Sequence, residues 1–163
     1  MTSSLHPALT PDPTIEHRAR TVLLTTVSSD SHTWNLVFLQ LLLEELGCAV
    51  VNLGSCVPDQ LVLDECRRHQ PDLVVVSTVN GHGHQDGKRL IGALRGEPDL
   101  SGLRVVIGGK LGVRGAADGQ IDTALLAAGF DAVFHDQNAL DGFRRYVLVA
   151  AADRAVAAER VPA

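Results

Sequence analysis

The sequence is poor in cysteine and has neither a long apolar run nor a block of basic residues, and each shortage excludes a class of protein. Its three cysteines are odd in number and form no C-x-x-C pair, so neither a disulfide framework nor a cysteine zinc site is predicted. No apolar run reaches the roughly 18 residues that a membrane-spanning helix needs. The net charge is −5 and basic residues form no long run, which predicts no nucleic-acid partner. These absences favour a protein of the reducing cytoplasm that contacts neither membrane nor nucleic acid.

The N-terminal part differs in composition from the rest of the chain. Residues 1–19 contain Pro, Ser and Thr but no apolar segment of the kind that signal peptides carry. This composition predicts a disordered tail. Residues 20–163 have the length of one domain and are predicted to form a single one.

Short apolar runs alternate with helical patterns over most of the chain. The runs are rich in β-branched residues, which predicts strands buried on both faces. They lie at 21–27, 48–54, 72–78, 104–109 and 131–135. We predict an α/β fold with a doubly wound, five-stranded parallel sheet of the flavodoxin-like (Rossmann-like) kind and strand order 2-1-3-4-5. The strand order of the dinucleotide-binding Rossmann fold is the alternative.

One edge of the predicted sheet holds most of the chemically useful residues. In such folds, ligands bind beyond the carboxyl ends of the strands, where the strand order reverses between strands 1 and 3. The segments that follow the predicted strands hold four of the seven histidines and eight of the fifteen glycines. We therefore expect any ligand site to lie at this edge.

The segment SSDSHTWN, at 28–35, has two interpretations. Its serines and Asp30 are suitable caps for the helix that follows. Capping does not account for His32, however. A metal-bound histidine usually gives its second ring nitrogen to a carboxylate, and Asp30 stands two residues from His32. The second interpretation is therefore a ligand pair.

Two other groups of residues at this edge could bind a metal ion or act as a nucleophile. His82 and His84 could join His32 in a zinc or iron site. Cys56, after the second strand, could act as a nucleophile, but local spacing places no base beside it. Both interpretations compete with that of an ordinary solvated loop.

The glycines at this edge of the sheet indicate places where the backbone turns tightly or another group approaches it closely. Gly81, Gly83 and Gly87, ahead of a helix predicted over 88–96, suggest a tight turn or a close approach. Gly108 and Gly109, at the end of strand 4, suggest either a turn with positive φ or room for a flat ligand. Neither the phosphate-loop nor the dinucleotide-binding fingerprint is present, so a plain nucleotide is not the expected ligand.

Residues at three strand ends resemble the cobalamin-binding domain family. Asp30-x-His32, Ser77-x-Val79 and Gly108-Gly109 are similar to the D-x-H-x-x-G … S-x-[LV] … G-G pattern of that family. The likeness extends from about residue 21 to residue 134. Within the family, VVNLGSCVPDQL at 50–61 and the GHG after Ser77 resemble the small subunit of glutamate mutase (methylaspartate mutase).

The resemblance implies a role for each matching residue. His32 would bind cobalt in place of the dimethylbenzimidazole base of adenosylcobalamin, and Asp30 would hold the other ring nitrogen. Ser77 and Val79 would line the displaced base, to which Gly108 and Gly109 would give room. The implied cofactor-binding residues are Asp30, Ser31, His32, Asn35, Ser77, Val79, Gly81, Gly108 and Gly109. No catalytic residue is implied in this chain.

The resemblance also implies partners. The chain would be the cofactor-binding subunit of a radical carbon-skeleton mutase, inactive without a larger TIM-barrel catalytic subunit, in a homodimer or heterotetramer. One alternative is a corrinoid carrier for methyl transfer, although the roughly 20 residues before strand 1 are too few for the helical module of such carriers. Another is a degenerate flavodoxin-like module that binds no cofactor. A receiver domain is disfavoured because strand 3 ends in Ser77 and Thr78 rather than aspartate.

Two features depart from the family pattern. Asn35 stands where the family has glycine, so a side chain would reach the slot for the cofactor tail. The segment 135–141 lacks the small turn that the mutase subunit places near the tail phosphate, and we assign no site residue there.

Overall fold

Five strands alternate with five helices in the computed structural model. The model describes residues 19–112, 118–135 and 138–158, and for residues 118 and 151–158 it describes the backbone only. The predicted tail at 1–19 lies outside the described residues except for residue 19. The elements are β1 (Arg20–Thr25), α1 (Trp34–Glu45), β2 (Cys48–Asn52), α2 (Asp59–His69), β3 (Leu73–Thr78), α3 (Gly83–Gly96), β4 (Val105–Gly109), α4 (Asp118–Ala128), β5 (Ala132–Phe134) and α5 (Ala139–Ala158).

The strands form one parallel sheet in the order β2-β1-β3-β4-β5. This confirms the flavodoxin-like order, and the Rossmann alternative is wrong. Leu24 of β1 pairs with Asn52 of β2 on one side and with Val75 of β3 on the other. The strand order reverses between β1 and β3, so the loops after these two strands diverge and leave a crevice between them.

The sheet is covered on both faces because its strands are apolar on both faces. All six residues of β3 are buried. Alternate residues of β1 enter different cores: Leu23 packs with α2, α3 and α4, whereas Val22 and Leu24 pack with α1 and α5. The predicted ligand edge is therefore held by a rigid, doubly covered sheet.

Glycine ends two of the helices. Gly47 after α1 has a φ of 81° and Gly129 after α4 has a φ of 123°, in the left-handed region that favours glycine. Among the helices of the described residues, none is both long enough and apolar enough to cross a membrane.

The helix α3 begins five residues earlier than the predicted 88–96. Gly83 and Gly87 are helical and buried, and only Gly81 has a positive φ, of 82°. A Cβ at Gly83 would collide with the side chain of Thr78, and one at Gly87 would lie 2.7 Å from Cδ1 of Ile107. The close approach indicated by these glycines is that of the helix to the sheet, and the predicted helix start at residue 88 is wrong.

Candidate functional site

The carboxylate of Asp30 organises the crevice between β1 and β3. Its side chain is fully buried. Oδ1 lies 2.9 Å from the backbone N–H of His32 and 2.7 Å from Nδ1 of the His32 ring. Oδ2 accepts hydrogen bonds from the Thr78 hydroxyl at 2.8 Å and from the Val79 amide at 2.7 Å. One carboxylate thus connects the loop after β1 to the end of β3.

These contacts hold Asp30 ionised. Burial raises the pKa of the carboxyl, but the hydrogen bonds from His32, Val79 and Thr78 outweigh burial and leave its pKa below the ordinary value. An ionised carboxylate only accepts hydrogen bonds, so Nδ1 of His32 must carry the proton between the two residues. The lone pair of Nε2 is then left for a ligand.

The ring of His32 is available to an incoming group. Its side chain is 47% exposed, whereas its partner Asp30 is wholly buried. The capping interpretation of Ser28–Ser31 and Asp30 is wrong, because α1 is capped at Thr33, which makes no side-chain capping hydrogen bond. Asp30 orients a histidine here instead of starting a helix.

A groove of about 250 Å³ runs from the carboxyl ends of β3 and β4 between α1 and α5. Its lining is almost wholly apolar and includes four aromatic rings. Five of the predicted site residues line it, namely Asn35, Ser77, Val79, Gly108 and Gly109. The lining residues that were not predicted from the sequence are Trp34, Phe38, Leu39, Val75, Val76, Val106, Ile107, Phe134, Ala139, Leu140 and Phe143.

Asn35 and Ser77 bring polar side chains into the almost wholly apolar lining of the groove. The Asn35 side chain donates from Nδ2 to the Ser77 hydroxyl oxygen at 2.7 Å. Both residues are buried, at 5% and 4% exposure. The carbonyl oxygen of the Asn35 amide is also buried, and no atom of the described residues hydrogen-bonds to it.

Gly108 and Gly109 are required by the backbone around them. Gly109 has a φ of 109°, and a Cβ there would collide with the carbonyl oxygen of Thr78. A Cβ at Gly108 would lie 2.7 Å from the carbonyl oxygen of Phe134. The interpretation of a turn with positive φ is therefore confirmed for Gly109. Both glycines border the groove, where the lack of side chains leaves room for a ligand.

The remaining predicted residues lie outside the groove lining. Ser31 is exposed beside Asp30, and Gly81 forms the buried turn after β3. In the described part of the chain, no three His, Cys, Asp or Glu side chains converge on a metal site, so His32, His82 and His84 do not form one. Cys56 is exposed, and its amide donates to the backbone carbonyl of Asp30 at 2.8 Å.

A network of charged and polar side chains stabilises the loop after β1, which carries His32. Arg89 of α3 donates to Asp59 and Asp86 at 2.6 Å each and to the Ser28 hydroxyl at 2.8 Å. Ser29 donates to Asp86. The network joins the loop after β1 to α2 and α3. No local sequence pattern predicts this network, because its members lie far apart in the chain.

Fold and site together define a class of protein. A doubly wound sheet presents a carboxylate-oriented histidine where its strand order reverses, and an apolar groove lies between α1 and α5. Such a site suits a ligand that has both a metal centre and a flat apolar part.

The comparisons with known proteins agree with this class. The model of the B12 binding domain family matches residues 20–129. Sigma subunit 1 of glutamate mutase from Haloarcula marismortui is 31% identical over 121 residues, which cover 73% of this chain and 78% of that one. The chain therefore belongs to the B12-binding domain family and is similar to the glutamate mutase sigma subunit, as the resemblance in the sequence implied.

Two solved structures share the fold. A cobalamin-binding protein from Desulfitobacterium hafniense matches with a TM-score of 0.66 and 23% identity, over 82% of this chain and 60% of that one. The monomethylamine corrinoid protein of Methanosarcina barkeri matches with a TM-score of 0.63 and 21% identity, over 79% and 57%. This chain thus spans about 60% of the length of these solved proteins.

Proposed function

We propose that this chain binds adenosylcobalamin as the small, cofactor-binding subunit of a radical carbon-skeleton mutase similar to glutamate mutase. His32 would bind the cobalt and the groove would take the displaced base, so that the cofactor would be held base-off and histidine-on. The observation that carries the proposal is the 2.7 Å contact between the half-exposed His32 ring and Asp30, which also accepts a hydrogen bond from the amide of Val79 in the groove lining. When bound, the cofactor supplies the radical chemistry through homolysis of its Co–C bond.

The residues present fit such a cofactor. Asp30 fixes the tautomer of His32 and raises the basicity of Nε2, as carboxylate partners of metal-bound histidines do. Trp34, Phe38 and Phe143 give the groove flat apolar surfaces for a heteroaromatic base. The Asn35 carbonyl, which has no hydrogen-bond partner among the described residues, gives the same groove an acceptor for a ligand.

A larger catalytic subunit of TIM-barrel fold completes the proposed enzyme, which we place in the cytoplasm, in a homodimer or heterotetramer. The chain alone is inactive, because its site residues bind and orient the cofactor without contacting a substrate. A partner is supported by an apolar stripe on α1, where Trp34, Val37, Phe38 and Leu41 are 66%, 56%, 47% and 62% exposed. The relatives are themselves named as subunits of glutamate mutase.

A corrinoid carrier for methyl transfer is the second candidate. Its support is the shared fold with the monomethylamine corrinoid protein, at a TM-score of 0.63. Both functions use His32 and Asp30 in the same way. Tight binding of adenosylcobalamin, with no methyl transfer from bound methylcobalamin to a thiol acceptor, distinguishes the mutase subunit from the carrier.

An absorption titration with cob(II)alamin tests the proposal. The wild-type protein should convert the base-on spectrum into a histidine-ligated one at a saturable stoichiometry. His32→Ala should lose that conversion. The matched control is His82→Ala, an exposed histidine on the same edge, which should bind as the wild type does. Absence of binding by the wild-type chain, alone and with a candidate barrel subunit, favours the cofactor-free module instead.

A further inference from the structure

Asn35 occupies an unusual place in the groove. It lies in the first turn of α1, where the cobalamin-binding pattern has glycine. Its amide is buried against a lining that is otherwise almost wholly apolar. A polar side chain in such surroundings needs partners for all of its polar atoms.

Half of the Asn35 amide is satisfied within the protein. Nδ2 donates to the Ser77 hydroxyl oxygen at 2.7 Å. Oδ1 is buried and has no hydrogen-bond partner in the described part of the chain. A buried carbonyl without a donor destabilises the folded chain, and a donor on a ligand in the groove removes that cost. A ligand in the groove would therefore have to offer an N–H or O–H donor to Oδ1 of Asn35.

Ser77 adds the complementary requirement. Its oxygen accepts from Asn35, so its own hydroxyl proton remains free to be donated. Asn35 and Ser77 together offer one acceptor and one donor at neighbouring points of the groove wall. A heteroaromatic ring that carries an amino group beside a ring nitrogen meets both.

We infer that Asn35 makes this groove selective for cobamides whose lower base bears an N–H donor, such as adenine, over bases without one, such as dimethylbenzimidazole. The inference rests on the proposed function, because it requires the lower base to enter the groove. It goes further by assigning the choice of base to one side chain. Glycine at position 35 would remove the Asn35 carbonyl and with it the acceptor on which this preference rests.

The test compares ligands that differ by a single amino group. Adeninylcobamide and purinylcobamide share the purine ring, and only the former has the exocyclic amine; cobalamin serves as the third ligand. Binding is followed by cobalt absorption and by quenching of Trp34, which lines the groove and is the only tryptophan. The proteins are the wild type, Asn35→Ala and Asn35→Gly, with Gln40→Ala on the same helix as control. Gln40 hydrogen-bonds to Glu44 and Asn52 and does not line the groove.

The wild type and Gln40→Ala should bind adeninylcobamide about tenfold more tightly than purinylcobamide, since one buried hydrogen bond discriminates by this order. Both Asn35 variants should bind the two purine ligands equally. Asn35→Ala keeps a good helix former at this position, which protects the test against loss of the helix.

Two results would overturn the inference while leaving the proposed function intact. One is equal affinity of the wild type for the two purine ligands. The other is a preference that persists unchanged in both variants, which would show that Asn35 only ties α1 to β3. Failure of all three cobamides to bind would instead contradict the proposed function itself.

Discussion

At the residue scale, the proposed cobalamin site depends on one buried carboxylate. Asp30 has four hydrogen-bond contacts, two to His32 and two to the end of β3. Its position fixes the tautomer and orientation of His32 and also joins two loops across the crevice. A change at Asp30 should therefore affect both ligand affinity and stability.

We expect Asp30→Asn to weaken cobalamin binding by about 10- to 100-fold, the usual effect of removing a carboxylate behind a metal-bound histidine. The amide no longer stabilises the Nδ1–H tautomer through a charged contact. Absorption titration gives the affinities. Asp64→Asn, on the exposed face of α2, is the matched control and should bind as the wild type does. An affinity of Asp30→Asn equal to that of the control would remove Asp30 from the site.

Acid should weaken the fold partly through Asp30. The pKa of this carboxyl is lower in the folded chain than its ordinary value of 3.8. Its contribution to stability is therefore complete above that value and is lost as the pH falls toward the folded pKa. The difference in free energy of unfolding between wild type and Asp30→Asn should be largest near neutrality and shrink below about pH 4. Urea unfolding at a series of pH values measures it, and a difference that grows on acidification would contradict the ionised state.

At the element scale, the closeness of α3 to the sheet holds the end of β3 in place. Gly83 packs on Thr78, the residue whose hydroxyl binds Asp30. Any side chain at position 83 would push the helix from the strand that carries half of the Asp30 contacts. The helix therefore needs its glycine for packing rather than for a turn.

Gly83→Ala should reduce the free energy of unfolding by about 1–3 kcal/mol, because its Cβ would collide with Thr78 and approach Leu111. Gly92→Ala is the control within the same helix. Nothing lies within 4 Å of a Cβ at position 92, so this change should stabilise the chain by about 0.5–1 kcal/mol. Urea unfolding compares the variants. A Gly83→Ala variant as stable as Gly92→Ala would contradict the described packing.

The sequence predicted the strands, because short runs of apolar, β-branched residues are a local signal. It misjudged the start of α3, since a glycine-rich segment resembles a loop and its helical state depends on the sheet below. It identified Asp30 and His32 from their spacing and the family pattern. It missed Trp34, Phe38 and Phe143, because only tertiary packing brings α1 and α5 to one groove.

At the scale of the whole molecule, the fold separates two tasks. The sheet and its two cores supply rigidity, while the carboxyl edge and the groove between α1 and α5 supply the ligand site. The apolar stripe of α1 adjoins that groove, since Trp34 and Phe38 belong to both. A ligand seated in the groove would thus lie next to the surface that we propose for a partner subunit.

The most direct test of the proposed role of His32 is the electron paramagnetic resonance spectrum of cob(II)alamin bound to the chain with ¹⁵N-labelled histidine. Histidine ligation predicts that superhyperfine triplets from ¹⁴N in the unlabelled protein become doublets in the labelled one, and that His32→Ala loses the protein-derived splitting. Triplets that persist in the labelled protein would mean that the cofactor keeps its own base on cobalt. That result would contradict the role of His32 on which the proposed function depends.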